Sequence, residues 1–331
     1  MVKLEGMRRE HTDHFEKLAN SALSKYPLQF HRIQFVGYYT NCILLAESGP
    51  EKYALRISSP GWRTFSDLNS EAIWLHDLTA GSDIGVVEPV MTRKGKYLST
   101  ASYKGSRVHY CLLMKWLNGD KLWENINSRN IFKMGELFAK LHLFSESYKP
   151  PVGFTTREMN RIFARGEKVA LYKKDNREMF SPAQYDIILK VKQQTDEVYK
   201  RLYAEKKNLM VISHDLHHEN IIIDAEGNLR PFDFEDTCLG YPVQDIAMAM
   251  RDLMEDRPQD FELYLSDFRE GYETLRKWPE TYQNQIDDFM AGRMLWVANW
   301  ILINDKDGFS DHLKWAVPKL EKYLITGLLR Y

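Results

Sequence analysis

The chain has 331 residues, which is enough for two domains or for one two-lobed enzyme with a large core. Its 45 basic and 46 acidic residues leave a formal net charge of −1, so no global field favours nucleic acid or an anionic membrane, and we expect neither as a partner. Three scattered cysteines, a charged start without a signal-peptide core and no apolar run of about 18 residues together predict a reduced, cytoplasmic protein.

The first third of the chain is predicted to combine helices with an antiparallel sheet. An apolar stripe at helical spacing predicts a helix from His11 to Lys25. A second helix is predicted over residues 66–81, capped by Ser66 or Asp67 and ended by Gly81. Strands are predicted for five β-rich runs bounded by turn residues: FHRIQFVG, NCILLAE, KYALRIS, GVVEPVMTR and VHYCLLMKWLNG.

The rest of the chain is predicted to be mainly helical. Residues 148–180 have no clear periodicity, and we expect a loop with short helices there. Apolar stripes predict long helices on either side of this loop and three more near the end of the chain: Ile126–Ser147, Pro182–Lys207, Phe261–Trp278, Tyr282–Asn304 and His312–Leu329.

Between these helices, the segment VISHDLHHENIIIDAEGNLRPFDFED contains short apolar runs that end at polar residues. Asp215 follows the first run, and Asn220 opens the second run. Gly227 and Asn228 tolerate positive φ and predict a hairpin turn, after which the returning strand reaches Asp233. A simple hairpin would bring Asn220 and Asp233 to the same end, near Asp215. Magnesium prefers such oxygen ligands, so the segment predicts a metal and phosphate site.

The same segment carries the spacing of a kinase catalytic loop. Asp215 and Asn220 fit DxxxxN, and Asp233 begins DFE where kinases have DFG. The segment resembles the superfamily of aminoglycoside phosphotransferases, choline kinases and type II homoserine kinases. Asp245 matches the family's usual aspartate in the next helix, where it is expected to brace the catalytic loop. The chain departs from the family at Ser213, where a histidine is usual.

The resemblance implies an α+β, two-lobed fold like that of protein kinases. An antiparallel-sheet lobe that binds nucleotide is expected over residues 1–116, and a mainly helical lobe with the catalytic loop and the acceptor site over residues 117–331. In the first lobe the turn Gly37–Asn41 would cover the nucleotide phosphates, although the usual glycine-rich loop is absent.

The resemblance also implies an ATP-dependent phosphotransferase that uses Mg²⁺ and a hydroxyl acceptor. Asp215 is expected to act as the base, and Asn220 and Asp233 to hold the metal. Arg56, in YALR where kinases carry VAIK, is expected to bind the α- and β-phosphates. The remaining expected nucleotide contacts are Glu71, which would orient Arg56, and the backbone of Met114 and Trp116, which would bind adenine.

Several alternatives remain open from the sequence. The acceptor could be an aminoglycoside, an amino alcohol, homoserine or a sugar-like compound, and the oligomeric state is not indicated. The acidic residues Glu280, Asp287 and Asp288 would suit a cationic or polyhydroxylated acceptor. The rival functions are a stress-response protein serine/threonine kinase and a nucleotide-binding module with little catalysis. A zinc hydrolase, suggested by His214, His217 and His218, is less favoured because no cysteine accompanies them.

Overall fold

The computed structural model of the chain describes residues 9–38, 40–105 and 107–330. No helix within these ranges is both long and apolar enough to cross a membrane. In chain order the helices and strands are α1 (Arg9–Leu23), β1 (Arg32–Tyr38), β2 (Asn41–Ser48), β3 (Glu51–Ser58), α2 (Phe65–Gly81), β4 (Leu98–Ala101), β5 (His109–Lys115), β6 (Asp120–Lys121), α3 (Ser128–Ser147), α4 (Pro182–Leu202), β7 (Met210–Ile212), β8 (Ile221–Ile223), β9 (Leu229–Pro231), β10 (Cys238–Gly240), α5 (Pro242–Asp256), α6 (Phe261–Glu273), α7 (Gln285–Asn304) and α8 (Lys306–Thr326).

The chain forms two compact units. Unit 1 comprises the residues up to Lys121 together with Lys149–Thr156 and Ile222–Asp236. Unit 2 comprises Leu122–Tyr148, Arg157–Ile221 and the residues from Thr237 onward. This division differs from the predicted one, because the segment that contains Asp233 belongs to unit 1 although it lies far beyond residue 116 in the sequence.

Unit 1 is built on a five-stranded antiparallel sheet, which confirms the expected α+β class. The strand order is β1-β2-β3-β5-β4, with α1 packed on the sheet through residues such as Leu18 and Ala22. Arg56 lies on the central strand β3, opposite Ile43 of β2 and Leu112 of β5. The sheet therefore places the predicted phosphate cation in the interior of unit 1.

The strand predicted for GVVEPVMTR is wrong. Only Pro89 forms an isolated bridge there, to Met114, while Val90 N donates to Leu113 O at 2.8 Å. Proline has no N–H to give to a ladder, so the pairing with β5 does not extend into a strand. The fifth strand of the sheet is instead β4 (Leu98–Ala101), which the sequence analysis missed.

The start of α2 also corrects a prediction. The capping residue is Thr64, not Ser66 or Asp67. Thr64 Oγ1 accepts from Asp67 N at 3.1 Å, and Asp67 Oδ2 accepts from Thr64 N at 3.2 Å. This reciprocal capping box fixes the first turn of the helix that carries Glu71.

The predicted hairpin in the central segment is present. Strands β6, β8 and β9 form a second small sheet in unit 1. Between β8 and β9, Gly227 has a φ of +78° and donates its N–H to Asp224 O at 2.9 Å, while Asp224 N donates to Asn228 O at 3.0 Å. The positive φ is the reason for glycine at this turn.

Unit 2 is mainly helical, as expected. Helices α3 and α6 pack closely through two glycines: an added Cβ would lie 2.0 Å from Phe268 O at Gly135, and 1.9 Å from Phe132 O at Gly271. Any side chain at either position would separate the helices. The short strands β7 and β10 pair antiparallel, and β7 leads directly into the loop that contains Asp215.

Candidate active site

The loop that contains Asp215 is held from below by Asp245 of α5, whose residue is 1% exposed. Its carboxylate accepts hydrogen bonds from Ser213 Oγ at 2.8 Å, Ser213 N at 3.3 Å and His214 N at 2.6 Å. His214 has a φ of +58°, a strained conformation for a residue other than glycine. Asp245 thus supports a strained backbone next to Asp215. Ser213, the departure from the family pattern, takes part in this support through its own hydroxyl.

A further partner of Asp245 is His142 of α3, which the sequence analysis did not assign to the site. Its Nε2 lies 3.1 Å from Asp245 Oδ2, and its Nδ1 lies 2.9 Å from the Tyr272 hydroxyl. A carboxylate only accepts, so Nε2 carries the proton and Nδ1 accepts from Tyr272. Burial lowers the pKa of His142, and the carboxylate of Asp245 only partly opposes this. The AKLH motif, noted as similar to the family's ARLH, was the available signal.

The Asp215 side chain is about one quarter exposed and contacts two further residues of unit 2. Arg293 of α7 donates from Nη2 to Asp215 Oδ1 at 2.5 Å. Asn220 Nδ2 donates to Asp215 O at 2.9 Å and so ties the two ends of the DxxxxN segment together. The sequence analysis missed Arg293, which comes from a helix 78 residues away.

In unit 1 the predicted pair of Arg56 and Glu71 is formed. Arg56 Nη1 donates to Glu71 Oε1 at 2.9 Å, and Nη2 donates to Oε2, with both residues buried. Arg56 Nη1 also lies 3.7 Å from Asp233 Oδ1. Burial alone would lower the pKa of Arg56, but Glu71, Glu235 and Asp233 raise it, so the guanidinium stays charged. A fixed cation therefore lies beside the predicted metal ligand of unit 1.

The residues after Asp233 are bound to the edge of the same unit. Glu235 accepts from Asn41 Nδ2 at 2.5 Å and from Trp62 Nε1 at 2.9 Å, and Asp236 forms an ion pair with Arg63. Asp233 itself has a φ of +63°, again a strained value. Asn41 ends the turn predicted to cover the phosphates, whose Tyr39 lies outside the described residues.

The predicted adenine contacts lie at the end of β5. Met114 pairs with Ala54 of β3, and Trp116 N donates to Lys52 O at 3.0 Å. That donor is occupied within unit 1, so an adenine contact at Trp116 would have to use the carbonyl oxygen. Contact of Met114 and Trp116 with adenine remains a prediction.

The three histidines of the loop have separate environments. His214 Nδ1 lies 2.6 Å from Arg165 Nη2, and His218 Nε2 lies 2.7 Å from Asp256 Oδ2. His217 Nδ1 is 4.0 Å from Asp252. Within the ranges that the structure describes, no three His, Cys, Asp or Glu side chains come together as a metal-binding group. An amide and carboxylate pair completed by phosphate oxygens is a different kind of site, to which that observation does not apply.

Comparisons with known proteins agree on one family. The profile of the phosphotransferase enzyme family matches residues 37–280. An uncharacterised protein of Synechocystis sp. is 25% identical over 215 residues, which is 64% of this chain and 57% of that protein, so the match spans little more than half of the relative's length.

Two solved structures have the same fold. An aminopropanol kinase associated with a microcompartment has a TM-score of 0.74 at 17% identity, covering 94% of this chain and 98% of that one. An amicoumacin kinase, solved with AMP-PNP, Ca²⁺ and its ligand, has a TM-score of 0.77 at 17% identity, covering 98% of each chain. At this identity the likeness shows the fold alone, and it confirms the kinase-like architecture expected from the sequence.

Proposed function

The chain belongs to the phosphotransferase enzyme family, and we propose that it transfers the γ-phosphate of ATP to a hydroxyl group of a small molecule. The observation that carries this proposal is the geometry of the loop before Asp215. Asp245 holds Ser213 and His214 by three hydrogen bonds, and the Asp215 carboxylate remains partly exposed after them. A buried framework that presents one carboxylate to solvent suits a base that must meet an incoming substrate.

Asp215 would accept the proton of the acceptor hydroxyl. A bond then forms between the acceptor oxygen and the γ-phosphorus, while the bond from the γ-phosphorus to the bridging oxygen breaks, and ADP leaves. Such a reaction asks the protein mainly to position the reactants and to neutralise phosphate charge. The carboxylate of Asp215 is the group that this chemistry requires on the acceptor side.

Arg56 would supply the cation for the α- and β-phosphates. Its bidentate pair with Glu71 fixes the guanidinium plane, and a planar guanidinium binds phosphate oxygens well. The guanidinium does not deprotonate at any working pH, so this contact would be independent of pH.

Asn220 and Asp233 would hold magnesium. The donors fit the ion: Asp233 offers a carboxylate, and Asn220 uses Nδ2 on the Asp215 carbonyl, which leaves the amide Oδ1 as the ligand atom. Magnesium, when bound, would neutralise charge on the β- and γ-phosphates. Asp233 would receive it in a strained conformation that the bonds of Glu235 to Asn41 and Trp62 help to maintain.

The acceptor is proposed to be small and hydroxylated. The two solved kinases of the same fold act on an aminopropanol and on amicoumacin, which supports this class in general but not a particular compound. An aminoglycoside, an amino alcohol, homoserine or a sugar-like compound would all satisfy the reaction.

ATP consumption against a panel of hydroxylated metabolites and protein substrates tests the proposal. Asp215→Asn should lower turnover of the accepted metabolite by about 10²- to 10⁴-fold, the usual share of a general base. Asp186→Asn, at an exposed aspartate of α4, is the matched control and should leave turnover unchanged. Turnover with protein substrates alone would show a protein kinase. Tight nucleotide binding with no acceptor that raises the wild type above Asp215→Asn would show a nucleotide-binding module instead.

A further inference from the structure

The group nearest to the proposed base is a cation. Arg293 is 7% exposed in its side chain, and its Nη2 donates to Asp215 Oδ1 at 2.5 Å. An acceptor whose hydroxyl reaches the Asp215 carboxylate would place its neighbouring substituents within a few atoms of this guanidinium. The charge of those substituents is therefore tested by Arg293.

A second cation lies on the same aromatic ring. The guanidinium carbon of Arg293 is 4.4 Å from the ring centre of Trp296, and that of Arg165 is 5.0 Å from it. Arg165 also donates to His214 O at 3.1 Å, directly before Asp215. Two guanidinium groups thus flank one indole beside the loop, an arrangement stabilised by cation–π attraction and suited to an anion.

The carboxylate that could cancel this charge is committed elsewhere. Asp252 Oδ2 is 3.9 Å from Arg293, but Asp252 Oδ1 accepts from Arg251 at 2.7 Å. Although burial opposes it, Arg251, Arg293 and His217 lower the pKa of Asp252 to about 2. Asp252 therefore stays ionised as the partner of a buried arginine, and its own charge is balanced.

The acidic residues expected to attract a cationic acceptor have structural partners. Asp287 is fully buried and accepts from Leu329 N at 3.0 Å. Asp288 accepts from the hydroxyls of Tyr282 and Tyr323, each at 2.5 Å, and Glu280 accepts from Ile286 N at 2.8 Å. These contacts fix the start of α7 and the end of the chain. They remove the main reason for expecting a polycationic substrate.

We propose that Arg293 binds a carboxylate group of the acceptor, so that the substrate is a small hydroxy acid or hydroxylated amino acid. This inference rests on the proposed phosphotransfer to a hydroxyl. A guanidinium has five N–H donors in a planar fork and can serve the Asp215 carboxylate and a substrate carboxylate together. An acceptor with an ammonium group at this place, and no carboxylate, would meet a like charge. Arg293 is thus a specificity-determining residue.

Acceptors that differ by one carboxylate provide the test. Threonine and 1-amino-2-propanol, homoserine and 3-aminopropanol, and serine and ethanolamine are three such pairs, and phosphorylation of each is measured with ATP as donor. The wild type should prefer the carboxylate-bearing member of the accepted pair in kcat/KM by roughly 10- to 100-fold, the range for a charge-assisted hydrogen bond. Arg293→Met should remove this preference, and Arg293→Lys should retain part of it.

The matched control is Arg269→Met, because Arg269 also pairs with a carboxylate and lies over a tryptophan ring, but at the surface. It should leave the preference intact. Wild-type preference for the decarboxylated members or for aminoglycosides, or an equal loss on both members of a pair in Arg293→Met, would overturn the inference and leave the phosphotransferase function standing. If no hydroxylated compound is phosphorylated at all, the proposed function itself fails.

Discussion

Two buried carboxylates support the candidate functional residues, Glu71 in unit 1 and Asp245 in unit 2, and they do so in different ways. Glu71 gives both oxygens to the guanidinium of Arg56. Asp245 distributes its oxygens over neutral donors: the backbone and hydroxyl of Ser213, the backbone of His214 and the imidazole of His142. The first support concentrates on one opposite charge, whereas the second is shared among several weaker bonds.

The difference predicts unequal responses to mutation. Removing one partner of a buried ion pair leaves the other charge in a medium that solvates it poorly. Removing one of several neutral donors leaves the carboxylate with the others. The Arg56–Glu71 pair should therefore be sensitive to a single change, and the Asp245 network tolerant of one.

The largest effect is expected for Glu71→Ala. It leaves Arg56 buried without its bidentate partner and should lower the free energy of unfolding by about 3–5 kcal/mol, measured by urea denaturation. Glu88→Ala is the matched control, because Glu88 pairs with Lys115 at 2.5 Å with both side chains well exposed, and its loss should cost no more than about 1 kcal/mol. Equal losses in the two variants would remove the contrast between concentrated and shared support.

A smaller effect should appear on acidification, because an imidazole belongs only to the Asp245 network. Burial lowers the pKa of His142 in the folded protein, while the unfolded chain takes up this proton below about pH 6.5. The free energy of unfolding should therefore fall as the pH drops below about 6.5, by at most about 1.4 kcal/mol per pH unit from this residue.

Denaturation of the wild type and of His142→Gln between pH 7.5 and 5.5 measures this contribution as a difference in slope. The glutamine variant should have the flatter profile. His76→Gln, at an exposed histidine of α2, should keep the wild-type slope. A wild-type slope in His142→Gln would mean that His142 is already protonated when folded.

The smallest effect is expected for Ser213→Ala. It removes the bond from Ser213 Oγ to Asp245 and leaves the bonds from Ser213 N, His214 N and His142, so the cost should be about 1 kcal/mol, with turnover reduced less than about tenfold. Ser266→Ala removes a surface hydroxyl bonded to Glu270 and should change neither quantity. A loss as large as that of Glu71→Ala would show that the Asp245 network is not shared.

Local patterns predicted much of the fold and of the site. Asp215, Asn220 and Asp233 were found because the catalytic loop and its hairpin are short and contiguous. Strand order also sufficed to pair Arg56 with Glu71, because β3 and α2 are adjacent in the chain. The missed strand β4 and the incorrect strand around Pro89 show the limit of periodicity, since one absent N–H decided the pairing there.

His142 and Arg293 could not be found in this way. His142 meets Asp245 across 103 residues, and Arg293 meets Asp215 across 78. Each lies on an amphipathic or buried helix where its neighbours are core residues, so no spacing rule connects it to the loop. Ser213 was expected to weaken the support of the loop, and the structure shows its hydroxyl bonded to Asp245 instead.

The central claim is that Arg56 binds the nucleotide while Asp215 takes part in the chemistry. Steady-state kinetics of Arg56→Met and Asp215→Asn, with ATP varied at saturating acceptor, tests it most directly. Arg56→Met should raise KM for ATP roughly 10- to 100-fold, as expected for loss of a charge-assisted contact, and Arg56→Lys should retain turnover because it keeps the cation. Asp215→Asn should lower kcat by about 10²- to 10⁴-fold with KM for ATP nearly unchanged. An unchanged KM for ATP in Arg56→Met, or complete loss of turnover in Arg56→Lys, would contradict the account.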